Sequence, residues 1–161
     1  MTGDAVPWAA FEQADAALAG RVRARLESHP HAVVATLRAD GSPRLSGMEV
    51  PVRSGHLWLA MTPGSRKAGD LGRDPRFSLH SAPDSESLPD GDARIEGRVL
   101  FADAAQQADF VAGHRHRIED PSKMVLYVAL IGRVVLVRVS QDSLVIESWT
   151  PGGGRDTQRR P

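Results

Sequence analysis

The sequence has 161 residues, 41% of them hydrophobic and 25% charged, which is typical of one soluble globular domain spanning residues 1–161. Basic and acidic residues balance at 20 each, and the resulting net charge of zero argues against nucleic acid or an acidic membrane surface as a partner. The sequence has no cysteine and no apolar run long enough to span a membrane, so we expect a cytoplasmic protein without disulfides.

The first 30 residues predict a helical segment. Apolar side chains recur at every fourth position, at Ala14, Leu18, Val22 and Leu26. This spacing predicts one helix over residues 7–28, which ends before Pro30 and packs its apolar stripe against the outside of the domain.

Antiparallel strands are predicted after this helix, because short β-branched segments alternate with tight turn signals. The first three segments cover residues 31–38, 43–52 and 56–61, and we expect them to form a meander. The later segments cover residues 76–81, 93–101, 124–139 and 144–150. Gly132 predicts a bulge or bend between two strand segments. Six or seven antiparallel strands favour a small barrel over an open sheet.

Two short helices are expected between the strands, one over residues 66–73 and one from a cap at Asp103 to about residue 117. His114 and His116, near Glu119, fall at the end of the second helix. Residues two positions apart point to different helix faces and chelate a metal poorly, so we expect no metal site.

The segment that follows Thr62 holds the strongest candidate site. Ser65 is a natural N-cap, which puts Arg66 and Lys67 in the first helical turn, where cations oppose the helix dipole. Free amide groups, two cations and the hydroxyls of Ser65 and Thr62 suit a bound phosphate. Two solvated charges on a surface helix explain these residues equally well.

A second cluster joins Trp149 to a Gly/Arg-rich tail over residues 151–161. A tryptophan at the end of a strand, three glycines, and then Arg155 and Arg159 could close over a planar ligand. A frayed terminus beside a core tryptophan explains the same pattern, and the residues alone favour this simpler interpretation.

Together, the two clusters resemble the pyridoxamine 5'-phosphate oxidase-like flavoproteins. The Ser-Arg-Lys run at residues 65–67, followed by Asp74-Pro75, is similar to the family's stretch that binds the FMN phosphate. Trp149, with arginines six and ten residues later, reproduces an oxidase motif in which the tryptophan and the last arginine contact flavin. The middle arginine of that motif, here Arg155, belongs to the substrate site.

The resemblance implies a mainly antiparallel split β-barrel and a homodimer with two cofactor sites at its interface. The implied cofactor is FMN or, alternatively, the deazaflavin coenzyme F-420, and the implied partner is a small organic substrate. The cofactor-binding residues that it implies are Arg44, Ser46, Met48, Met61, Thr62, Ser65, Arg66, Lys67, Trp149 and Arg159. Arg155 is the candidate substrate contact, and no general base is identified.

The sequence departs from the oxidase in its substrate half. Thr157 stands where the oxidase has a histidine, and no clear equivalent of the stretch that holds the substrate phosphate occurs near residues 110–121. We therefore expect a flavin-type oxidoreductase whose substrate is another small molecule. The alternative is a non-catalytic protein that stores or senses a flavin, a B6 vitamer or haem, for which the candidate axial ligands are His80, His114 and His116.

Overall fold

A computed structural model of the chain describes residues 4–83, 88, 90–113 and 120–161. The helices are α1 (Trp8–Ala14), α2 (Ala16–Glu27), α3 (Arg66–Arg73) and α4 (Ala104–Ala112), with a 3-10 turn at Pro121–Lys123. The strands are β1 (Ala32–Leu37), β2 (Pro43–Met48), β3 (Val52–Arg53), β4 (His56–Met61), β5 (Arg76–His80), β6 (Asp92–Phe101), β7 (Val125–Ser140), β8 (Ser143–Thr150) and β9 (Gly154–Arg160). Among the described helices, none has the length and apolarity that crossing a membrane requires.

All nine strands belong to one antiparallel sheet, in the order β2-β1-β5-β6-β7-β4-β3. The long strand β7 pairs with β6 along one edge and with both β4 and β8 along the other. β9 extends the sheet beyond β8. The ends of the main path, β2 and β3, do not pair with each other in the described chain, and the fold is the predicted split barrel, with nine strands instead of six or seven.

The predicted meander of the first three strand segments is wrong. β1 and β2 form the expected hairpin, but β4 pairs with β7, at the opposite end of the sheet path from β2. The chain leaves β2 after Met48 and pairs again only at Val52, passing through Pro51, which has no amide hydrogen to donate to a ladder. Turn signals identify local hairpins, but they do not specify which distant strand edge each strand meets.

The N-terminal segment is helical, as predicted, but it contains two helices. Asp15 separates them, and its carboxylate accepts a hydrogen bond from the Leu18 amide at 3.1 Å, which caps α2. Leu18, Val22 and Leu26 are buried in the main core, whereas Ala14, at the end of α1, is exposed. The break at Asp15 thus separates Ala14 from the rest of the predicted apolar stripe.

The bulge predicted at Gly132 is present, inside one continuous strand. Glu96 pairs with Arg133 and Gly97 pairs with Ile131, which leaves Gly132 as the extra residue of β7. A Cβ atom at Gly97 would lie 2.0 Å from the Leu130 carbonyl oxygen, so glycine is required where the two backbones approach.

The C-terminal tail is a strand, which corrects the expectation of a frayed terminus. Residues from Gly154 to Arg160 pair one for one with β8, after a turn in which Gly152 and Gly154 adopt positive φ angles of 75° and 68°. Every side chain of β9 is exposed. Its pairing therefore depends on backbone hydrogen bonds, and apolar periodicity could not have predicted it.

The helix predicted after Asp103 begins at Ala104, with a capping box formed by Asp103 and Gln106. It is described as far as Ala112. His114, His116 and Glu119, on which the prediction of no metal site depended, lie outside the described residues.

Candidate functional site

A cleft of about 600 Å³ lies between helix α3 and the β1–β2 hairpin. Its charged lining residues are Arg38, Arg44, Arg66, Arg73, Asp40 and Asp70. Four arginines against two aspartates make the cleft cationic at neutral pH. Its chemistry therefore suits an anionic ligand.

The N-terminus of α3, which begins after Ser65 as predicted, opens into this cleft. Ser65 caps the helix, and its hydroxyl oxygen accepts a hydrogen bond from the Ala68 amide at 3.4 Å. Arg66 is exposed and Lys67 is half-buried, and neither has a carboxylate partner among the described residues. Two unpaired cations at the positive end of a helix are unfavourable unless an anion joins them.

The carboxylate of Asp70 organises the wall of the cleft. It is only 2% exposed and accepts hydrogen bonds from Thr36 Oγ1 at 2.8 Å, Arg44 Nε at 2.6 Å and Arg73 Nη2 at 2.7 Å. The hydrogen bond from Arg44, supported by those from Arg73 and Thr36, holds the pKa of Asp70 far below its usual range despite burial. Sequence reasoning did not identify Asp70, because its partners come from two strands distant in the chain.

The predicted cofactor-binding residues of β2 share one face of that strand. Arg44 and Ser46 are half-buried, and Met48 is buried with 5% exposure. Arg44 lies directly opposite Thr36 of β1, which explains how both reach Asp70. This strand therefore joins the cleft to the core.

Two further residues of the predicted cofactor-binding set lie at the end of β4, one in the core and one at the surface. Met61, at the end of β4, is buried in the same core cluster as Met48, and Thr62 is exposed. Thr62 and Lys67 adjoin the cleft in sequence but do not line it. Of the predicted cofactor-binding set, the cleft brings together Arg44, Ser65 and Arg66.

The C-terminal cluster lies elsewhere. Trp149 is 4% exposed, and its ring packs against Phe11 of α1 with centroids 4.7 Å apart. Arg159 is exposed on β9. Neither residue lines the cleft, so one chain alone does not bring the two predicted clusters together.

Arg155, the candidate substrate contact, has two acidic partners. It approaches Glu147 at 3.2 Å and Asp15 at 3.1 Å. Glu147 is 5% exposed and also receives a hydrogen bond from Arg21 at 2.7 Å, which is the main reason that its pKa is lowered. The assignment of Arg155 to a substrate stays a prediction.

His80, the described candidate for an axial haem ligand, ends β5 and is half-buried. Its Nδ1 lies 2.7 Å from the backbone carbonyl oxygen of Ser81. In the described part of the chain, no three His, Asp or Glu side chains are grouped as a metal site would require.

Solved structures of other proteins have the same fold as this chain. PhzG from Burkholderia lata 383, in complex with tetrahydrophenazine-1-carboxylic acid, matches with a TM-score of 0.67 and 13% identity over 96% of this chain and 93% of that one. A heme binding protein from Mycobacterium smegmatis matches with a TM-score of 0.57 and 18% identity over 86% of each chain. The conserved hypothetical protein Rv2991 from Mycobacterium tuberculosis gives a TM-score of 0.57 and 22% identity over 71% of this chain and 81% of that one. At these identities the likeness is one of fold.

The sequence comparison is more specific. No curated protein matches the sequence. The family model described as pyridoxamine 5'-phosphate oxidase matches residues 18–140, which include the cleft, α3 and its capping serine and end before Trp149. The chain belongs to the pyridoxamine 5'-phosphate oxidase family.

Proposed function

We propose that this protein is an oxidoreductase that binds a phosphate-bearing flavin-type cofactor, FMN or the deazaflavin coenzyme F-420, at the cleft in front of α3. The observation that carries this proposal is the first turn of α3: Arg66 lines the cationic cleft, Lys67 follows it, and neither has an acidic partner among the described residues. A phosphate supplies the charge that this helix end lacks. Family membership supports a cofactor of this class.

The described residues fit the phosphate end of such a cofactor. Arg66 and Lys67 would bind it by charge, while Ser65 and the first-turn amides would add hydrogen bonds. Ser46, on the same face of β2 as Arg44, would lie towards the ring. When bound, the ring supplies hydride transfer, and the protein supplies binding, orientation and electrostatics.

The remaining flavin contacts of the site are proposed to come from a second copy of the chain. Trp149 and Arg159 are implied by the resemblance as flavin contacts, yet they lie away from the cleft of their own chain. In a homodimer, the partner could present its C-terminal hairpin to the cleft. Light scattering at micromolar concentration should give the mass of a dimer, and a monomer would remove Trp149 and Arg159 from the proposed site.

Replacing Arg66 and Lys67 together with alanine tests the phosphate assignment. Two charge-assisted contacts of about 1.5–3 kcal/mol each would be lost, so affinity for FMN or F-420 should fall at least tenfold. The matched control replaces Arg133 and Lys123, an exposed arginine and the other lysine of the sequence, neither of which lines the cleft. Unchanged affinity in the R66A/K67A protein, measured by fluorescence titration, would refute the phosphate site.

The alternative of non-catalytic cofactor storage gives different spectra. His80 uses Nδ1 on a backbone carbonyl, which leaves Nε2 as the nitrogen able to ligate iron. A Soret band in the purified protein, lost in His80→Ala, would favour haem. Flavin or deazaflavin absorbance that changes when a reductant or a substrate is added would favour the oxidoreductase.

A further inference from the structure

Asp70, the buried carboxylate of the cleft, has a further role if the cleft binds the cofactor of the proposed function. We propose that Asp70 is a positioning residue: it fixes the guanidinium group of Arg44 so that the edge not used on Asp70 faces the cofactor phosphate. Asp70 touches no ligand in this arrangement. It acts through Arg44.

The hydrogen bonds define which edge of Arg44 is free. Arg44 donates to Asp70 through Nε, and its two terminal amino groups have no partner among the described residues. Its side chain lines the cleft and is 18% exposed, so these donors are held in a restricted, partly dehydrated position. Fixed donors bind an anion better than mobile ones, because little conformational entropy is lost on binding.

Two further contacts hold Asp70 itself. Thr36 donates to the same oxygen, Oδ2, that receives Arg44, while Arg73 donates to Oδ1. Arg73 is also anchored by its Nη1, which donates to the Gly69 carbonyl oxygen at 3.0 Å. The carboxylate is therefore held from β1 and from α3, and its orientation is passed to Arg44 on β2.

Asparagine cannot reproduce this arrangement. An amide has one accepting oxygen and one donating nitrogen, so Asp70→Asn can serve Arg44 and Thr36 or Arg73, but not all three. Whichever way the amide turns, an N–H group opposes an arginine N–H group. Either the hydrogen bond that holds the Arg44 guanidinium group is lost, or the hydrogen bond from Arg73 that holds the side chain of residue 70 is lost.

The sign of the effect separates positioning from simple electrostatics. Asp70 is a negative charge beside a proposed anion site, so removing it should strengthen phosphate binding if charge alone matters. If Asp70 positions Arg44, the same removal should weaken phosphate binding. A purely structural carboxylate would lower stability and leave the phosphate contribution unchanged.

The test compares FMN with riboflavin, which has the same ring without the phosphate. The dissociation constant of riboflavin divided by that of FMN isolates the contribution of the phosphate, and we expect Asp70→Asn to reduce this ratio about tenfold. If the protein binds F-420, its phosphate-free chromophore replaces riboflavin. An unchanged or increased ratio in Asp70→Asn overturns the positioning role.

Two controls complete the experiment. Glu147→Gln makes the same carboxylate-to-amide change in a buried arginine cluster away from the cleft, and its ratio should equal that of the wild type. If the wild-type protein itself binds the phosphate-bearing and phosphate-free ligands equally, the proposed cofactor site fails, whatever the variants do.

A second variant covers the case in which Asp70→Asn does not fold. Lysine at position 44 keeps the charge and can pair with Asp70, but its single ammonium group has no second edge for the phosphate. Arg44→Lys should therefore lower the riboflavin-to-FMN ratio of dissociation constants about tenfold with little change in melting temperature. A wild-type ratio in Arg44→Lys also overturns the proposal.

Discussion

Asp70 and Glu147 are both buried carboxylates bound to arginines, but they leave those arginines in different states. Asp70 engages Arg44 through one nitrogen and leaves its terminal amino groups facing a cleft. Arg66 and Lys67 beside it lack acidic partners among the described residues. The cationic groups of this region are therefore still available to bind an anionic ligand.

The Glu147 cluster uses its charges internally. Arg21, Arg138 and Arg155 all approach the one carboxylate, and Arg155 also reaches Asp15. These contacts join α2 and its cap to β7, β8 and β9, and none of the residues involved lines the cleft. The number of arginines therefore does not identify a binding site. What matters is whether their donors are already satisfied.

The largest effect should follow removal of Glu147. Glu147→Ala leaves three arginines without their shared partner, and loss of one side of a buried pair costs about 3 kcal/mol. Urea unfolding followed by tryptophan fluorescence measures this loss, with Glu27→Ala, at the exposed C-terminal end of α2, as the control. A loss below about 1 kcal/mol would mean that the cluster behaves like exposed ion pairs.

Lowering the pH should reduce the free energy of unfolding through both carboxylates. Because folding lowers the pKa of Asp70 and of Glu147, their contribution to stability is complete well above pH 4. It is lost as the pH falls below about 4, the ordinary range of carboxyl groups, where the unfolded chain takes up protons first.

Asp70→Asn should flatten the dependence of unfolding free energy on pH by about 1 kcal/mol per pH unit near pH 3, and Glu147→Gln should flatten it in the same direction. Unfolding in urea at pH 6, 5, 4 and 3 provides the measurement. A variant that keeps the wild-type slope would show that its carboxylate titrates normally in the folded protein.

The sequence predicted local features of this molecule better than long-range ones. Helix α3, its Ser65 cap and strand β4 follow from residues adjacent in the chain, and the structure confirms their positions. The pairing of β4 with β7 and the hydrogen bonds of Asp70 depend on segments far apart in sequence, for which turn and helix signals hold no information. β9 was missed because its side chains are all polar or exposed.

A smaller loss of stability is expected for Arg155→Ala, which removes a partly exposed arginine from the Glu147 cluster. Arg155 retains 36% side-chain exposure, so its two ion pairs should contribute only about 1 kcal/mol to stability. The double variant with Glu147→Ala should be less destabilised than the sum of the two single variants, because the pair shares one interaction. Strict additivity would separate Arg155 from the cluster and leave it available for a substrate.

The smallest effect should appear in the region with unsatisfied cations. In the absence of any cofactor, replacing both Arg66 and Lys67 with alanine removes two positive charges from the positive end of α3 and two side chains without an acidic partner among the described residues. Stability should stay level or rise by about 0.3–1 kcal/mol, since these charges oppose the helix dipole, and the gain should shrink at high salt. Differential scanning calorimetry of the apo protein at low and high ionic strength measures it, with the Arg133→Ala/Lys123→Ala protein as control. Clear destabilisation of the apo R66A/K67A protein would mean that the two cations already stabilise the fold without an anion. The contrast with the Glu147 cluster would then disappear.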